Sequence, residues 1–251
     1  PYFLATEVYR PMKKQAKVGE MFLEALNRTE NSPLDRPFKV GDEYINTVHD
    51  AVLHEAFLLY NDATELYNKG KSSKAFPKFE LSMALNPTIL QNHIALADIS
   101  FENGDIDSAM DYLDKGAKIN SNNDLKIRKA KFARAKKNYS LALSTLEEIK
   151  TEEKELQLII NREIFIIHLE QEDYMSSISL GAVLVEDMFN TLGVDDLVLS
   201  ETCYNVAISN RIVGYELYNG VLETINSGTE DKDELMEAIE NGKKSIEYFK
   251  T

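Results

Sequence analysis

Apolar residues recur every three or four positions through most of this chain, the spacing of helices that bury one face. The stretches FLLYNDATELYNK, NHIALADISFEN, LKIRKAKFARAKK and INREIFIIHLEQE all show it, and each runs through a short polar turn into a second helical pattern. The prediction is a series of helical hairpins. Upstream, residues 41–69 read as one long helix with Asp42 as N-cap. Residues 5–28 read as another, with Val8, Met12, Met21, Phe22, Leu23 and Leu26 as its apolar positions. Between them, 27–40 is punctuated by Pro33 and Pro37 and reads as a loop. After the break TLGVDD (191–196), two more helices are expected over 198–226 and 231–250, the last capped by Thr229 or Asp231.

The hairpins repeat. Aligning GKSSKAFPKFELSMALNP (70–87) with GDIDSAMDYLDKGAKINS (104–121) sets Gly70 on Gly104, Ala75 on Ala109, Phe79 on Leu113, Leu85 on Ile119 and Asn86 on Asn120, always 34 residues apart. A third copy, KNYSLALSTLEEI (137–149), follows at an offset of 33, and a fourth, EDYMSSISLGAVL (172–184), at 35. Small residues mark the first helices at Ala63, Ala97 and Ala130, where the fourth copy has Phe165. They face Ala75, Ala109, Ala142 and Ser177 in the second helices, a pairing that lets two helices approach closely.

A helical hairpin of about 34 residues resembles the tetratricopeptide repeat. The features that carry the likeness are Gly-Asp or an equivalent in the turn, an aromatic or Ile opening the second helix, Ala one turn later and Asn-Pro closing it. Lys137 and Glu172 depart from the pattern at the turn glycine, and only Asn86-Pro87 keeps the closing proline. Pro77 near the start of a second helix is a place for a kink. The resemblance implies an all-α fold: a right-handed superhelix of antiparallel hairpins with flanking N- and C-terminal helices. Residues 1–55 would pack on the solenoid, and the repeats would occupy 56–89, 90–122, 123–157 and 158–190. Residues 191–251 would form a helical cap or a degenerate repeat.

Charge narrows the partners. Of 251 residues, 28 are Lys or Arg and 42 Asp or Glu, a formal charge of -14 that repels phosphate backbones and anionic membranes, so nucleic acid is not an expected partner. Residues 186–251 carry 14 acids against 5 bases. No apolar run reaches the roughly 18 residues of a membrane span. The lone Cys203 can form neither an intramolecular disulfide nor a multi-thiolate site and reads as a buried small hydrophobe. The expectation is a soluble protein, cytoplasmic or extracytoplasmic after loss of an N-terminal signal; the start at Pro1 suggests a trimmed or processed chain.

Candidate chemistry is sparse. Gly70-Lys71-Ser72 matches the end of a phosphate-binding loop, but Glu65 stands where its first glycine belongs and a helix, not a strand, precedes it. His54-Glu55 opens a zinc-protease pattern that Leu58 breaks, and His49, His93 and His168 are scattered. The aspartates of NGDIDSAMD lack the glycine and final glutamate of a calcium loop, and Asp105 or Asp107 is better read as a helix cap. No enzyme, metal or cofactor is expected.

What remains is a groove. In a tetratricopeptide stack the first helices line the concave face. Projection of i, i+3, i+4 and i+7 positions supplies Phe57, Tyr60, Thr64 and Tyr67, then Gln91, Ile94, Asp98 and Phe101, then Ile127, Lys131 and Arg134, then Arg162, Ile166 and Leu169. Aromatics at one end and Lys131, Arg134 and Arg162 at the other suit a protein or peptide partner of acidic character. The alternative is that the aromatics pack on N-terminal helices folded into the groove. LKIRKAKFARAKKN (125–138), with seven basic residues, is either a solvated face or a docking patch for an acidic partner. The two-carboxylate clamp of chaperone-binding members would fall on Tyr60, Thr64, Ala95, Asp124 and Arg128; only Arg128 fits, which argues against a chaperone-tail cochaperone. The expected function is a non-catalytic scaffold or adaptor. A small-molecule-binding extracytoplasmic module and a helical assembly region of a larger complex are the rivals, and the oligomeric state is left open.

Overall fold

The computed structural model describes residues 15–29, 33–40, 43–191 and 193–250. The chain divides into two units, residues 1–132 and 133–251. In the first, helix α1 (Gln15–Thr29) precedes antiparallel strands β1 (Pro33–Val40) and β2 (Glu43–Thr47). Helices α2 (Val48–Asn68), α3 (Ser72–Leu85), α4 (Leu90–Glu102) and α5 (Ile106–Ile119) follow, and the division falls within α6 (Asn123–Ala135). The second unit continues with α7 (Tyr139–Glu147), α8 (Lys154–Glu170), α9 (Tyr174–Phe189), α10 (Asp196–Ser227) and α11 (Lys232–Lys250). In the first unit α2 packs on α3, α3 on α4 and α4 on α5; in the second, α8 packs on α9, α9 on α10 and α10 on α11.

One backbone device reverses the chain in all four repeats. Gly70, Gly104, Lys137 and Glu172, the aligned turn positions, have φ of 68°, 82°, 59° and 60°. This left-handed conformation is the end of a Schellman motif. Its N–H bonds back to the carbonyls of Tyr67, Phe101, Arg134 and Leu169 at 2.7–3.1 Å, while the next N–H reaches Leu66, Ser100, Ala133 and His168 at 2.9 Å. The residue after the left-handed one then caps the following helix. Asp105, Asn138 and Asp173 accept from the amides of Ser108, Leu141 and Ser176 at 3.1–3.2 Å. Lys71 holds that place in the first repeat and makes no side-chain cap.

The small residues do what their spacing implied. Ala63, Ala97, Ala75, Ala109, Ala142 and Ser177 have no exposed surface, and Ala130 is 1% exposed. Phe79, Leu113 and Leu146, the next aligned positions, are buried beside them. Phe165 breaks the small-residue rule in the fourth first helix, and Gly181 on α9 restores the space. A Cβ on Gly181 would come within 2.8 Å of the Phe165 ring and strike Val206. Buried hydroxyls add fixed points: Ser82 donates to Ala56 O at 2.7 Å and accepts from Asn92 at 2.8 Å, and Ser177 meets Ser209 at 3.0 Å.

The N-terminal flank differs from expectation. The long helix expected over 41–69 begins only at Val48, because residues 43–47 pair as a strand with β1. Thr47 and Asp50 form the capping box that starts the helix: Thr47 Oγ1 accepts from Asp50 N at 3.1 Å and Asp50 Oδ2 accepts from Thr47 N at 3.3 Å. Asp42, the expected cap, lies outside the described residues, as do Val8, Met12 and the side chain of Leu26. The loop expected over 27–40 is helix up to Thr29 and strand from Pro33. Pro37 falls where the register with β2 shifts, so its missing N–H interrupts no regular ladder. Leu34 and Ile45 close the hairpin onto a core of Val18, Phe22, Val48, Val52 and Leu59, through which α1 packs on α2.

At the other end, α10 runs for 32 residues and ends on left-handed Gly228, and Asp231 caps α11. The outer surface of this last pair is not uniformly polar: Ile225, Met236, Ile239 and Ile246 are each more than half exposed. Cys203 is exposed, not buried as the sequence suggested.

Two substitutions test this account. Lys137→Gly and Glu172→Gly are each expected to raise the urea-unfolding free energy by roughly 0.5–1 kcal/mol, because the left-handed penalty of an L-residue exceeds the extra chain entropy of glycine. An unchanged midpoint would mean the turns carry no such strain. Gly181→Ala is expected to lower stability by about 1–3 kcal/mol despite its better helix propensity, through overpacking against Phe165 and Val206.

Candidate functional site

Helices α2 and α4 are the first helices of successive hairpins, and their aligned faces meet over the second helix between them. Tyr60, Thr64 and Tyr67 recur at i, i+4 and i+7 on α2; Gln91, Ile94 and Asp98 do the same at i, i+3 and i+7 on α4. Together with Ala95, and with buried Phe79 of α3 as a floor, they line a cleft of about 210 Å³. The Tyr60 ring is tilted against Phe79, with centroids 6.1 Å apart. Thr64 donates its hydroxyl hydrogen to Tyr60 O at 2.9 Å, which leaves its oxygen as an acceptor. Among the described residues, no side chain of α1 lines the cleft.

Charge gathers at one end. Tyr67 donates its hydroxyl to Glu102 Oε1 at 2.8 Å, and burial, reinforced by Glu102, pushes its pKa up to about 12. Arg128 on α6 contacts both carboxylate oxygens of Asp98 and, through Nε at 3.2 Å, Asp124. Burial pushes the Asp98 carboxyl above its usual range even though Arg128 pulls it down, and Asp124 and Glu102 add to the rise. Burial also works against the charge on Arg128, but Asp98 and Asp124 more than restore it. The pair is thus held together with its anion the less comfortable partner.

The projected residues do not all meet here. Tyr60, Thr64, Tyr67, Gln91, Ile94 and Asp98 line the cleft. Phe101 turns away to stack on Phe132, centroids 4.3 Å apart and rings 12° from parallel. Ile127 is buried, and Lys131 is half-buried on α6. Arg134 and Arg162 belong to the second unit, where Arg134 pairs with Glu163 and Glu170 and Arg162 with Glu201. Phe79 and Ala95 were not projected: Phe79 sits on a second helix, visible in sequence only as a repeat-register position. His93 contacts Pro87 O and His168 contacts Asp173. Among the described residues no cluster could hold a metal ion, and no helix is long and apolar enough to cross a membrane.

No family model matches the chain, and no curated protein matches it. Solved structures do. A tetratricopeptide repeat protein from Parabacteroides merdae aligns over 98% of this chain and 97% of its own, with a TM-score of 0.50 and 13% identity. The MamA protein aligns over 78% of this chain and 93% of its own, with a TM-score of 0.50 and 10% identity. Such likeness shows the fold: this chain is built as a tetratricopeptide-type solenoid of helical hairpins.

Removing the guanidinium tests the electrostatics. In Arg128→Met the Asp98 carboxyl should rise further, so the folded state keeps a proton that the unfolded chain has released. The sign is then a destabilisation that grows as pH increases from about 4 toward 7. Denaturant titrations across that range should show it, and Asp98→Asn in the same background should remove the pH dependence.

Proposed function

We propose that this protein is a non-catalytic scaffold that binds a segment of another protein along the first helices of its hairpins, with the Tyr60–Asp98 cleft as an anchoring pocket. The observation that carries the reading is the convergence of six projected groove residues on one cleft whose floor is a buried aromatic. Aromatic walls with a few placed polar groups are the composition of a peptide hot spot. At about 210 Å³ the cleft is smaller than the ~300–1,000 Å³ of typical small-molecule sites, which favours one anchoring side chain over a whole ligand. The formal charge of -14 supports a protein partner over nucleic acid. The acidic character expected of that partner rested on Lys131, Arg134 and Arg162; Arg134 is paired with Glu163 and Glu170, and Arg162 with Glu201.

The test is selection of binding peptides from a random display library on the intact chain, followed by affinity measurement on Tyr67→Ala and Ile94→Glu. Each variant is expected to lose about tenfold or more in affinity, the usual weight of a hot-spot residue, with its helical circular dichroism unchanged. Selected peptides that bind both variants as tightly as the parent would overturn the cleft as the binding site.

A further inference from the structure

We infer that the anchor this cleft accepts is a cationic side chain, a lysine or arginine of an extended peptide; the inference rests on the peptide-binding reading above and specifies its ligand. Three features converge on it. The walls are the rings of Tyr60 and Tyr67 over Phe79, and aromatic faces attract an ammonium or guanidinium through their quadrupoles. The end of the cleft carries more negative than positive charge: Arg128 faces Asp98 and Asp124, and Glu102 stands near Asp98 and bonds Tyr67. Nη1 of Arg128 is engaged by Asp98 and Nε by Asp124. Two further groups on the lining can accept, the Thr64 hydroxyl oxygen and the Gln91 amide carbonyl.

The balance of alternatives follows from these contacts. An incoming carboxylate would join Asp98, Asp124 and Glu102 and make four carboxylates against the one guanidinium of Arg128 at this end of the cleft. An incoming ammonium or guanidinium finds acceptors in the Thr64 and Gln91 oxygens and ring faces in Tyr60 and Tyr67, and its alkyl stem lies along Ile94 and Ala95, as long basic side chains commonly bury their stems. The volume suits one long side chain. A neutral apolar side chain would fill the space but leave the carboxylates without a new partner.

The measurement is a titration of the isotope-labelled full chain by amide-resolved nuclear magnetic resonance, using N-acetyl-arginine amide, N-acetyl-lysine amide, N-acetyl-glutamate amide and N-acetyl-leucine amide as separate probes. The arginine and lysine probes are expected to shift the amides around Thr64, Tyr67, Ile94 and Asp98 in a saturable way, on the order of tenfold more tightly than the glutamate probe. Glu102→Gln combined with Asp124→Asn should weaken the basic probes and leave the leucine probe unchanged. If the glutamate or leucine probe shifts those amides as strongly as arginine, the cation preference is overturned while the cleft stands as a peptide site. If no probe shifts them, both readings fail. If the basic probes shift amides elsewhere only, the inference is overturned.

Discussion

The architecture depends on a reversal of the chain within about three residues, repeated four times at nearly equal spacing. Reversing a helix that tightly requires one residue in the left-handed region, because only that conformation turns the following amide back onto the last free carbonyls of the helix. Glycine meets the requirement without penalty, and the first two repeats use it. The third and fourth place Lys137 and Glu172 there with the same φ and the same two hydrogen bonds. The local cost of a lysine or glutamate in that region is therefore outweighed by what the reversal makes possible: a second helix that lands with its small residue in the interior of the hairpin.

That landing is the second constraint. Ala63, Ala75, Ala97 and Ala109 are wholly buried, and the helices they separate sit close enough for Phe79 and Leu113 to fill the space beside them. Phe165 violates the pattern and Gly181 compensates, since the volume added on one helix has been removed from the facing one. What has to persist along the chain is summed volume and spacing, not residue identity. This accounts for a fold shared with solenoids of 10–13% identity.

The cleft is a consequence of the same repetition. With one hairpin register, the first helices present equivalent faces side by side, so Tyr60, Thr64 and Tyr67 come opposite Ile94 and Asp98 without any contact between neighbours in sequence. The second helix below supplies Phe79 as a floor because its own register buries it. Electrostatics then distinguish this place from the rest of an acidic protein. Asp98 and Arg128 are half withdrawn from water and paired with each other, and Glu102 accepts the Tyr67 hydroxyl beside them.

The sequence by itself determined the helical class, the four turn positions, the small-residue contacts and the projected face of α2 and α4. Each of these follows from spacing along one helix or between identical units, and spacing is written in the chain. It did not determine where α2 starts: helical periodicity continued plausibly into 43–47, and only pairing with β1, together with the Thr47–Asp50 capping box, decided that those residues are strand. Nor did it show that Phe101 would turn to Phe132 rather than the cleft, that Arg134 and Arg162 would be spent on glutamates 29 to 39 residues away, or that Arg128 would close on Asp98. Those outcomes belong to the tertiary structure, because partners brought together by folding, and the burial that sets the strength of their charges, are not encoded in the period of a single helix.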